Sequence, residues 1–251
     1  MKKPKVSLVV TSYNRKDLIK KCLNSLLNLD YPNKEILIVD SGSKDGTLEM
    51  LRKEFSKIRL LTTKSDSLVE AHNLGIKETN GDYFMRVDDD LELDKNFVKE
   101  LVKLMEKDKN IGVSGGKIYY PKTNTIWCVG GKINFLTGIV TTLGIGEKDK
   151  GQYDYTREVD YIGSLMFTRR EIFDKIGVLD KRFSPLCYED IDFCVRARKG
   201  GYKVVYVPTA VAYHYRKNRK MNMMRRIRNV WLIQYHKLKF LGKHFGGKSV
   251  V

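Results

Sequence analysis

The sequence predicts an α/β protein built on a doubly wound, mostly parallel sheet. In the first 90 residues, four short apolar runs alternate with three segments whose apolar residues recur at helical spacing. The run Glu35–Asp40 is apolar enough to be buried on both faces, as strands of parallel sheets are. Right-handed crossovers would bring the carboxyl ends of all four strands to one edge of the sheet, where ligands bind in open α/β folds.

The predicted elements follow one another closely in the first half and less regularly in the second. The first half contains strands at 5–11, 35–40, 58–61 and 83–87, and helices at 17–29, up to 55 and at 67–79. Asp45 is placed to cap the second helix, and Asn80-Gly81 is a typical helix end. The second half contains strands at 111–120, 125–133 and 203–207, a mobile loop at 134–157, and helical character at 217–243.

Composition indicates a globular protein. The 251 residues are 42% hydrophobic with five prolines, and no apolar run approaches the roughly 20 residues that a membrane span needs. The apolar stretch before Ser12 is too short for a signal peptide, so we expect an intracellular, cytoplasmic protein. The four cysteines have no C-x-x-C spacing, which predicts reduced, mostly buried thiols.

The net charge of +17 is concentrated at the C-terminus. Residues 193–251 carry 15 Lys and Arg and no acid, whereas the first 192 residues are almost neutral. Such a tail predicts contact with an anionic surface, either nucleic acid or acidic lipid headgroups. The alternative is a solvated basic helix.

Three carboxylates, Asp88-Asp89-Asp90, directly follow the predicted strand 83–87. Adjacent acids repel one another unless a positive charge lies among them. Mg²⁺ and Mn²⁺ take oxygen ligands and often bridge to substrate phosphates. Because alternate side chains of an extended segment share a face, we expect Asp88 and Asp90 to point together at a metal and Asp89 to face away. The alternative is a solvated acidic turn before the next helix.

Three polar loops are predicted to meet at the same sheet edge. Thr11–Arg15 offers hydroxyls, an aromatic ring and a cation, and Asp40–Thr47 offers a carboxylate in a flexible polar turn. Together with Asp88–Asp90 they supply what a nucleoside diphosphate needs, namely base recognition, a stacking surface and neutralised phosphates. The alternative is three ordinary loops rich in turn-forming residues.

These segments, in this order, resemble a known family. V-V-T-S-Y-N-R from Val9, I-V-D-S-G-S-x-D-G-T from Ile38, Ala71–Ile76 and D-D-D are similar to the nucleotide-sugar half of glycosyltransferase family 2, which has the GT-A fold. Downstream, the matching segments are a donor loop, a Glu-Asp motif with its helix, and a late metal-binding histidine: Asp160–Phe167, Phe183–Arg196 and His214. The similarity spans residues 6–214 and is closest to rhamnosyltransferase-like bacterial and archaeal members.

The resemblance implies an inverting, metal-dependent transfer of sugar from a nucleoside-diphosphate sugar to a hydroxyl of a glycan or lipid-linked glycan. It makes Asp190 the catalytic base, and Glu189 the residue that binds the acceptor or orients Asp190. The metal ligands it implies for Mn²⁺ or Mg²⁺ are Asp88, Asp90 and His214. The donor-binding residues it implies are Thr11, Tyr13, Asn14, Arg15, Asp40, Ser41, Asn73, Asp88, Asp89 and Gly163.

Each role has a structural alternative. Glu189 and Asp190 could simply cap a helix, whose dipole would hold the pKa of Asp190 low unless burial opposes it. His214 could be a packed strand histidine, whereas as a ligand it would favour Mn²⁺ over Mg²⁺. The resemblance places Asp40 at the nucleobase. A carboxylate there accepts from the ring N–H of uracil or thymine, which favours UDP or dTDP and leaves GDP open.

The expected organisation is a catalytic domain at 1–215, with a nucleotide-sugar half at about 1–110 and an acceptor half at 111–215, followed by a basic amphipathic helical tail at 216–251. The tail is expected to attach peripherally to anionic lipid on the inner face of the cell membrane. The alternative is that its apolar residues pack on the catalytic domain.

Competing functions are less well supported. A sugar nucleotidyltransferase should have a glycine-rich loop after the first strand, and Thr11–Arg15 is not one. A nucleic-acid-binding protein should show a recognised module or bases interleaved with stacking aromatics across one face. The tail contains Tyr213, Tyr215, Trp231 and Tyr235, so this alternative stays open on charge, but we expect no nucleic acid partner. An inactive relative would not need Asp88, Asp90 and Asp190. The P-loop pattern at 242–249 follows a helical segment where the motif requires a strand.

Overall fold

The computed structural model describes residues 3–185, 187–215 and 223–245, which form an α/β fold. Its elements, in chain order, are β1 Val6–Ser12, α1 Lys16–Leu27, β2 Lys34–Asp40, α2 Thr47–Glu54, β3 Arg59–Thr62, α3 Leu68–Glu78, β4 Tyr83–Asp88, β5 Leu91–Leu93, α4 Phe97–Lys107, β6 Ile111–Tyr119, β7 Ile126–Cys128, β8 Gly131–Asn134, β9 Ile139–Thr142, β10 Arg157–Glu158, β11 Phe167–Arg169, α5 Arg170–Ile176, α6 Glu189–Lys199, β12 Lys203–His214 and α7 Met223–Phe245. Within these residues, ten strands form one sheet with the main order β10-β12-β6-β11-β4-β1-β2-β3, and β8 pairs with β9 in a separate hairpin.

The first half matches the predicted parallel sheet. β1 pairs in parallel with β2 and with β4, and β2 pairs in parallel with β3. The register sets Ser12 beside Asp40 and Thr11 beside Asp88. The predicted strands and helices of this half are confirmed, and their three polar loops therefore begin at one edge.

Helices cover both faces of the sheet. Leu8 and Val10 of β1 belong to the core that includes α1 and α4, whereas Val9 belongs to the core that includes α3, α5 and α6. A Cβ atom at Gly75 would lie 2.3 Å from Val9 Cγ1, so the glycine allows α3 to approach the strand closely. This two-sided burial confirms the doubly wound architecture.

Three expectations for the second half are wrong. The single strand expected at 125–133 is divided into β7 and β8, because Gly130 between them has a left-handed φ of +84°. The expected loop at 134–157 contains β9, which completes a hairpin with β8. β12 extends beyond 207 past a shift in its register with β6, so His214 is the last residue of the strand and does not follow it.

The predicted helical tail corresponds partly to α7, since residues 216–222 and 246–251 lie outside the described residues. Phe240 and His236 of α7 are buried, whereas Trp231 is 62% exposed. Lys243 forms ion pairs with Asp180 at 2.7 Å and with Asp192 at 2.6 Å. The C-terminal half of α7 therefore packs on the rest of the protein, and much of its N-terminal half faces solvent.

Three further findings concern the P-loop pattern, membrane-spanning helices and the cysteines. The first four residues of the P-loop pattern end α7, so no strand precedes them, and 246–249 lie outside the described residues. None of the helices that the structure describes is long and apolar enough to cross a bilayer. The four cysteines are free, and all but half-buried Cys187 are buried, as expected.

Candidate active site

The acid triplet forms a turn at the end of β4, and Arg15 from the first loop lies across it. Nη1 of Arg15 donates to Asp89 Oδ1 at 3.1 Å and also to Asp90 Oδ2. Asp90 Oδ1 is hydrogen bonded to Nε2 of His214 at 3.1 Å. The expectation that Asp89 faces away from Asp90 is wrong, because the chain leaves the extended conformation after Asp88 and the alternation of side chains ends there.

The three carboxylates differ in their electrostatics. Burial raises the pKa of Asp88, and it raises the pKa of Asp89 to about 7. Burial also opposes ionisation of Asp90, but the hydrogen bond from His214 and the charge of Arg15 hold its pKa below the usual range. Negative charge is thus concentrated here without full compensation, which favours a bound cation.

A buried arginine lies next to the triplet. Nη1 of Arg86 in β4 donates to Glu189 Oε1 at 2.8 Å, and its Nε lies 3.5 Å from Asp88 Oδ1. Burial opposes the charge of the guanidinium, yet the neighbouring carboxylates Asp88 and Glu189 raise its pKa. The sequence interpretation missed this residue. The available signal was a single charge inside an apolar strand, because such a charge must find a partner when it is buried.

Glu189 and Asp190 begin α6. They follow Cys187 and Tyr188, which have left-handed φ values of +78° and +70° and turn the chain into the helix. Glu189 is 2% exposed and is held by Arg86, whereas Asp190 remains partly exposed.

The environment of Asp190 suits proton transfer. Burial and the adjacent Glu189 raise its pKa to about 7, against the lowering effects of Arg86 and of the hydrogen bond from Ile191 N. A Cβ atom at Gly163 would lie 3.2 Å from Asp190 Oδ2. The structure therefore brings the expected donor-loop glycine against the expected base, and the absent side chain leaves room beside the carboxylate.

The first two polar loops are joined by hydrogen bonds. Ser41 N donates to Ser12 O at 2.9 Å, and Asn14 N donates to Ser43 Oγ at 2.8 Å. Asp40 is fully buried and accepts from the N and Oγ of Ser43, both at 2.7 Å. Asp40 therefore orders its own loop, and only its remaining lone pairs are available to a ligand.

Two other expected donor residues differ in their surroundings. Tyr13 is 47% exposed, so its ring is accessible for stacking. Asn73 is not brought into the group, because its side-chain amide bonds both the N and the O of Leu179, at 3.0 and 2.8 Å. This contact, which spans 106 residues, has no local signal in the sequence.

Comparison with known proteins decides the family. Residues 7–177 match the family model described as Glycosyl transferase family 2. The chain belongs to this family. A dolichyl N-acetyl-α-D-glucosaminyl phosphate 3-β-D-2,3-diacetamido-2,3-dideoxy-β-D-glucuronosyltransferase of Methanococcus voltae is 27% identical to this family 2 protein over 224 residues, covering 84% of the chain and 66% of the relative. The chain spans 16% to 66% of the length of four curated relatives that it matches.

Solved structures show the GT-A fold of the family 2 protein. GalNAc-T7 with UDP, GalNAc and Mn²⁺ superposes with a TM-score of 0.69 at 18% identity, covering 86% of this chain and 44% of that one. The mannosyltransferase PcManGT from Pyrobaculum calidifontis, in complex with GDP-Man and Mn²⁺, gives a TM-score of 0.66 at 18% identity, covering 95% and 65%.

The acidic site of the family 2 protein suits a cation that is bound partly by the protein and partly by a substrate. In the described ranges, no three His, Cys, Asp or Glu side chains form a ready metal cage. Asp88 Oδ1 is nevertheless buried without a hydrogen-bond partner, beside Asp90 and His214. Mg²⁺-type sites are commonly completed by one or two carboxylates plus substrate phosphates. The carboxylate and imidazole groups present are therefore suitable ligands.

Proposed function

We propose that this protein is an inverting, metal-dependent glycosyltransferase that moves a sugar from a nucleoside-diphosphate sugar to a hydroxyl of a glycan or lipid-linked glycan. One observation carries the proposal. The guanidinium of Arg86 contacts both Asp88, at the acidic edge of the sheet, and Glu189, next to the partly exposed Asp190. One side chain thus holds both the carboxylate proposed to bind the cation and the residue next to the proposed base.

Asp88, Asp90 and His214 would hold the Mn²⁺ or Mg²⁺. The bound cation would stabilise the charge that develops on the departing nucleoside diphosphate. The solved neighbours in complex with Mn²⁺ and a nucleotide or nucleotide sugar support this assignment. Arg15 adds a second positive group on the same side, because it bonds Asp89 and Asp90.

Asp190 would accept the proton of the acceptor hydroxyl as the oxygen attacks the anomeric carbon. A pKa of about 7 suits a general base at neutral pH, and such catalysis contributes roughly 10²–10⁴-fold. Attack from the side opposite the leaving diphosphate inverts the anomeric configuration. Glu189, fixed by Arg86, would orient Asp190 or bind the acceptor, and Gly163 leaves space beside the base.

The second loop would recognise the nucleobase. Asp40 retains lone pairs that could accept a ring N–H of uracil or thymine, while Tyr13 offers a stacking surface. UDP and dTDP are therefore the favoured donors, with GDP open and CDP disfavoured. Thr11, Asn14 and Ser41 would complete the donor side, because they belong to the two joined loops.

The acceptor would be lipid-linked, at the inner face of the cell membrane. The dolichyl phosphate acceptor in the name of the Methanococcus voltae relative supports this proposal. The basic composition of 193–251 also favours peripheral contact with anionic lipid. On this view residues 1–110 bind the donor, 111–215 bind the acceptor, and the tail from 216 provides the contact with the membrane.

Turnover of UDP-, dTDP-, GDP- and CDP-sugars, each with Mn²⁺, Mg²⁺ or excess EDTA, tests this function. We expect metal-dependent release of UDP or dTDP that Asp190→Asn abolishes. Asp40→Ala should weaken donor binding, and tight CDP binding with weak UDP and dTDP binding would refute the role of Asp40. Absence of turnover with every donor, or undiminished turnover in EDTA, would contradict the proposal.

A further inference from the structure

Helix α7 presents an apolar stripe to solvent. Six of its residues are 61% to 79% exposed: Met223, Met224, Ile227, Val230, Trp231 and Leu238. At 100° per residue these positions fall on one side of the helix, and buried His236 and Phe240 fall on the other. Between residues 223 and 238, the stripe is therefore the face of α7 directed away from the protein.

The tip of the β8–β9 hairpin continues this surface. Leu136 is 90% exposed and Ile139 is 52% exposed. A Cβ atom at Gly138 would lie 2.8 Å from Leu241, and the rings of Phe135 and Phe245 lie 5.8 Å apart. Leu241 follows Met223 by five turns of 3.6 residues, so the hairpin meets α7 on the side that carries the stripe.

The charges around the stripe are of one sign. Arg228 and Lys239 border it on one side and Lys237 on the other, and no acid follows Asp192 in the sequence. Exposed apolar residues flanked by bases are typical of helices that lie in a headgroup layer. A second copy of the chain would bring the same bases opposite one another, so charge favours anionic lipid over self-association.

The surface is coupled to the catalytic segment through Tyr188, two residues before Asp190. The Oη of Tyr188 donates to Gly138 O at 3.3 Å, and its ring lies 5.5 Å from that of Phe240. In the same first turn of α6, two residues after Asp190, Asp192 forms an ion pair with Lys243. The hairpin and α7 are thus attached to both sides of the residue that we assign as the base.

We propose that the α7 stripe and the tip of the β8–β9 hairpin form one docking surface for an anionic lipid headgroup layer. Docking holds the side of the active site that contains Asp190 against that layer. This inference rests on the proposed function, because a lipid-linked acceptor would lie in the layer that this orientation places beside Asp190. Because the surface includes the hairpin, a substitution at Leu136 should weaken membrane binding even when the whole C-terminal tail is intact.

The test is co-sedimentation of the full chain with vesicles of phosphatidylglycerol and phosphatidylcholine, or of phosphatidylcholine alone. We expect salt-sensitive binding to the anionic vesicles only. Leu136→Glu and Ile227→Glu should each weaken it about tenfold or more, because an exposed apolar side chain that enters the lipid layer on binding is replaced by a charge. Leu27→Glu, at a 49% exposed leucine of α1, is the matched control and should bind as the wild type does.

Four results would overturn the proposal. They are a wild-type protein that stays in the supernatant at low salt, full binding by Leu136→Glu, equal loss of binding by Leu27→Glu, and a dimer that Ile227→Glu dissociates. Donor turnover measured without vesicles separates this proposal from the enzymatic one. Ile227→Glu should turn over donor at the wild-type rate, and a wild type without turnover would contradict the function while leaving the vesicle result in place.

Discussion

Arg86 joins the two sides of the active site through two carboxylates. Its Nη1 lies 2.8 Å from Glu189 Oε1, and its Nε lies 3.5 Å from Asp88 Oδ1. Arg86 and Glu189 are both buried and are 103 residues apart in the chain. The end of β4 and the beginning of α6 are therefore held together by one guanidinium.

Arg86→Met should destabilise the protein by about 3–5 kcal/mol, because it leaves buried carboxylates without their partner. The double variant Arg86→Met/Glu189→Gln removes one unpaired charge and should recover much of this loss in urea unfolding, while kcat stays low because Asp190 has lost its support. Lys203→Met, which breaks an exposed ion pair with Asp108, is the control and should cost about 1 kcal/mol or less. An Arg86→Met variant as stable as the wild type would show that the pairing of Arg86 with Glu189 contributes little to stability.

Asp190→Asn should lose about 10²-fold or more in kcat and retain donor affinity, because the base acts on the acceptor hydroxyl and not on the diphosphate. Steady-state transfer and titration with the nucleoside diphosphate measure the two effects. The control is Asp174→Asn, at an exposed acid of α5, which should be unaffected. A variant that keeps kcat and loses donor affinity would move Asp190 to the donor site.

The raised pKa of Asp190 predicts two pH dependences of opposite sign. Transfer should fall as the pH drops below about 7, because the base becomes protonated. Stability should change in the other direction, since a carboxyl whose pKa is raised by folding destabilises the protein as the pH rises from about 3.9 through 7.

Asp190→Asn should therefore be more stable than the wild type at pH 8, with a difference that shrinks towards pH 4. Urea unfolding at several pH values measures this difference. A constant difference across the range would indicate that Asp190 titrates as an ordinary exposed acid.

Asp88→Asn and Asp90→Asn should each abolish metal-dependent turnover, because each removes a negative oxygen ligand from the proposed cation site. Calorimetric titration of Mn²⁺ in the presence of UDP should show weaker binding in both variants, with Asp174→Asn unchanged. Full activity in either Asn variant would exclude that residue as an essential ligand.

Phe240→Ala should destabilise the protein by about 3–5 kcal/mol, because the ring is fully buried against Tyr188 and leaves a cavity when removed. Trp231→Ala, on the exposed face of the same helix, should cost much less. Urea unfolding of the two variants compares the faces directly. Equal and small effects would mean that α7 does not pack on the catalytic segment in solution.

The sequence by itself determined the fold of the first half of the chain. Its strands and helices are marked by local apolar periodicity, and the handedness of the crossovers fixes where the loops after β1, β2 and β4 meet. The sequence therefore predicts that Thr11, Asp40 and Asp88 lie at one edge of the sheet. The roles of Glu189 and Asp190 are instead implied by the resemblance of their segment to the Glu-Asp motif of glycosyltransferase family 2.

Only the tertiary structure decided how the charges are paired. Glu189, which pairs with Arg86, and Leu179, which bonds the amide of Asn73, each lie more than 100 residues from their partner, and the pKa of Asp190 depends on burial by distant segments. The buried and exposed faces of α7 are likewise distinguished by a tertiary contact, the packing of Phe240 against Tyr188. Burial and ion pairing are properties of the folded environment, so a local pattern can name the reacting groups but cannot fix their protonation or their partners.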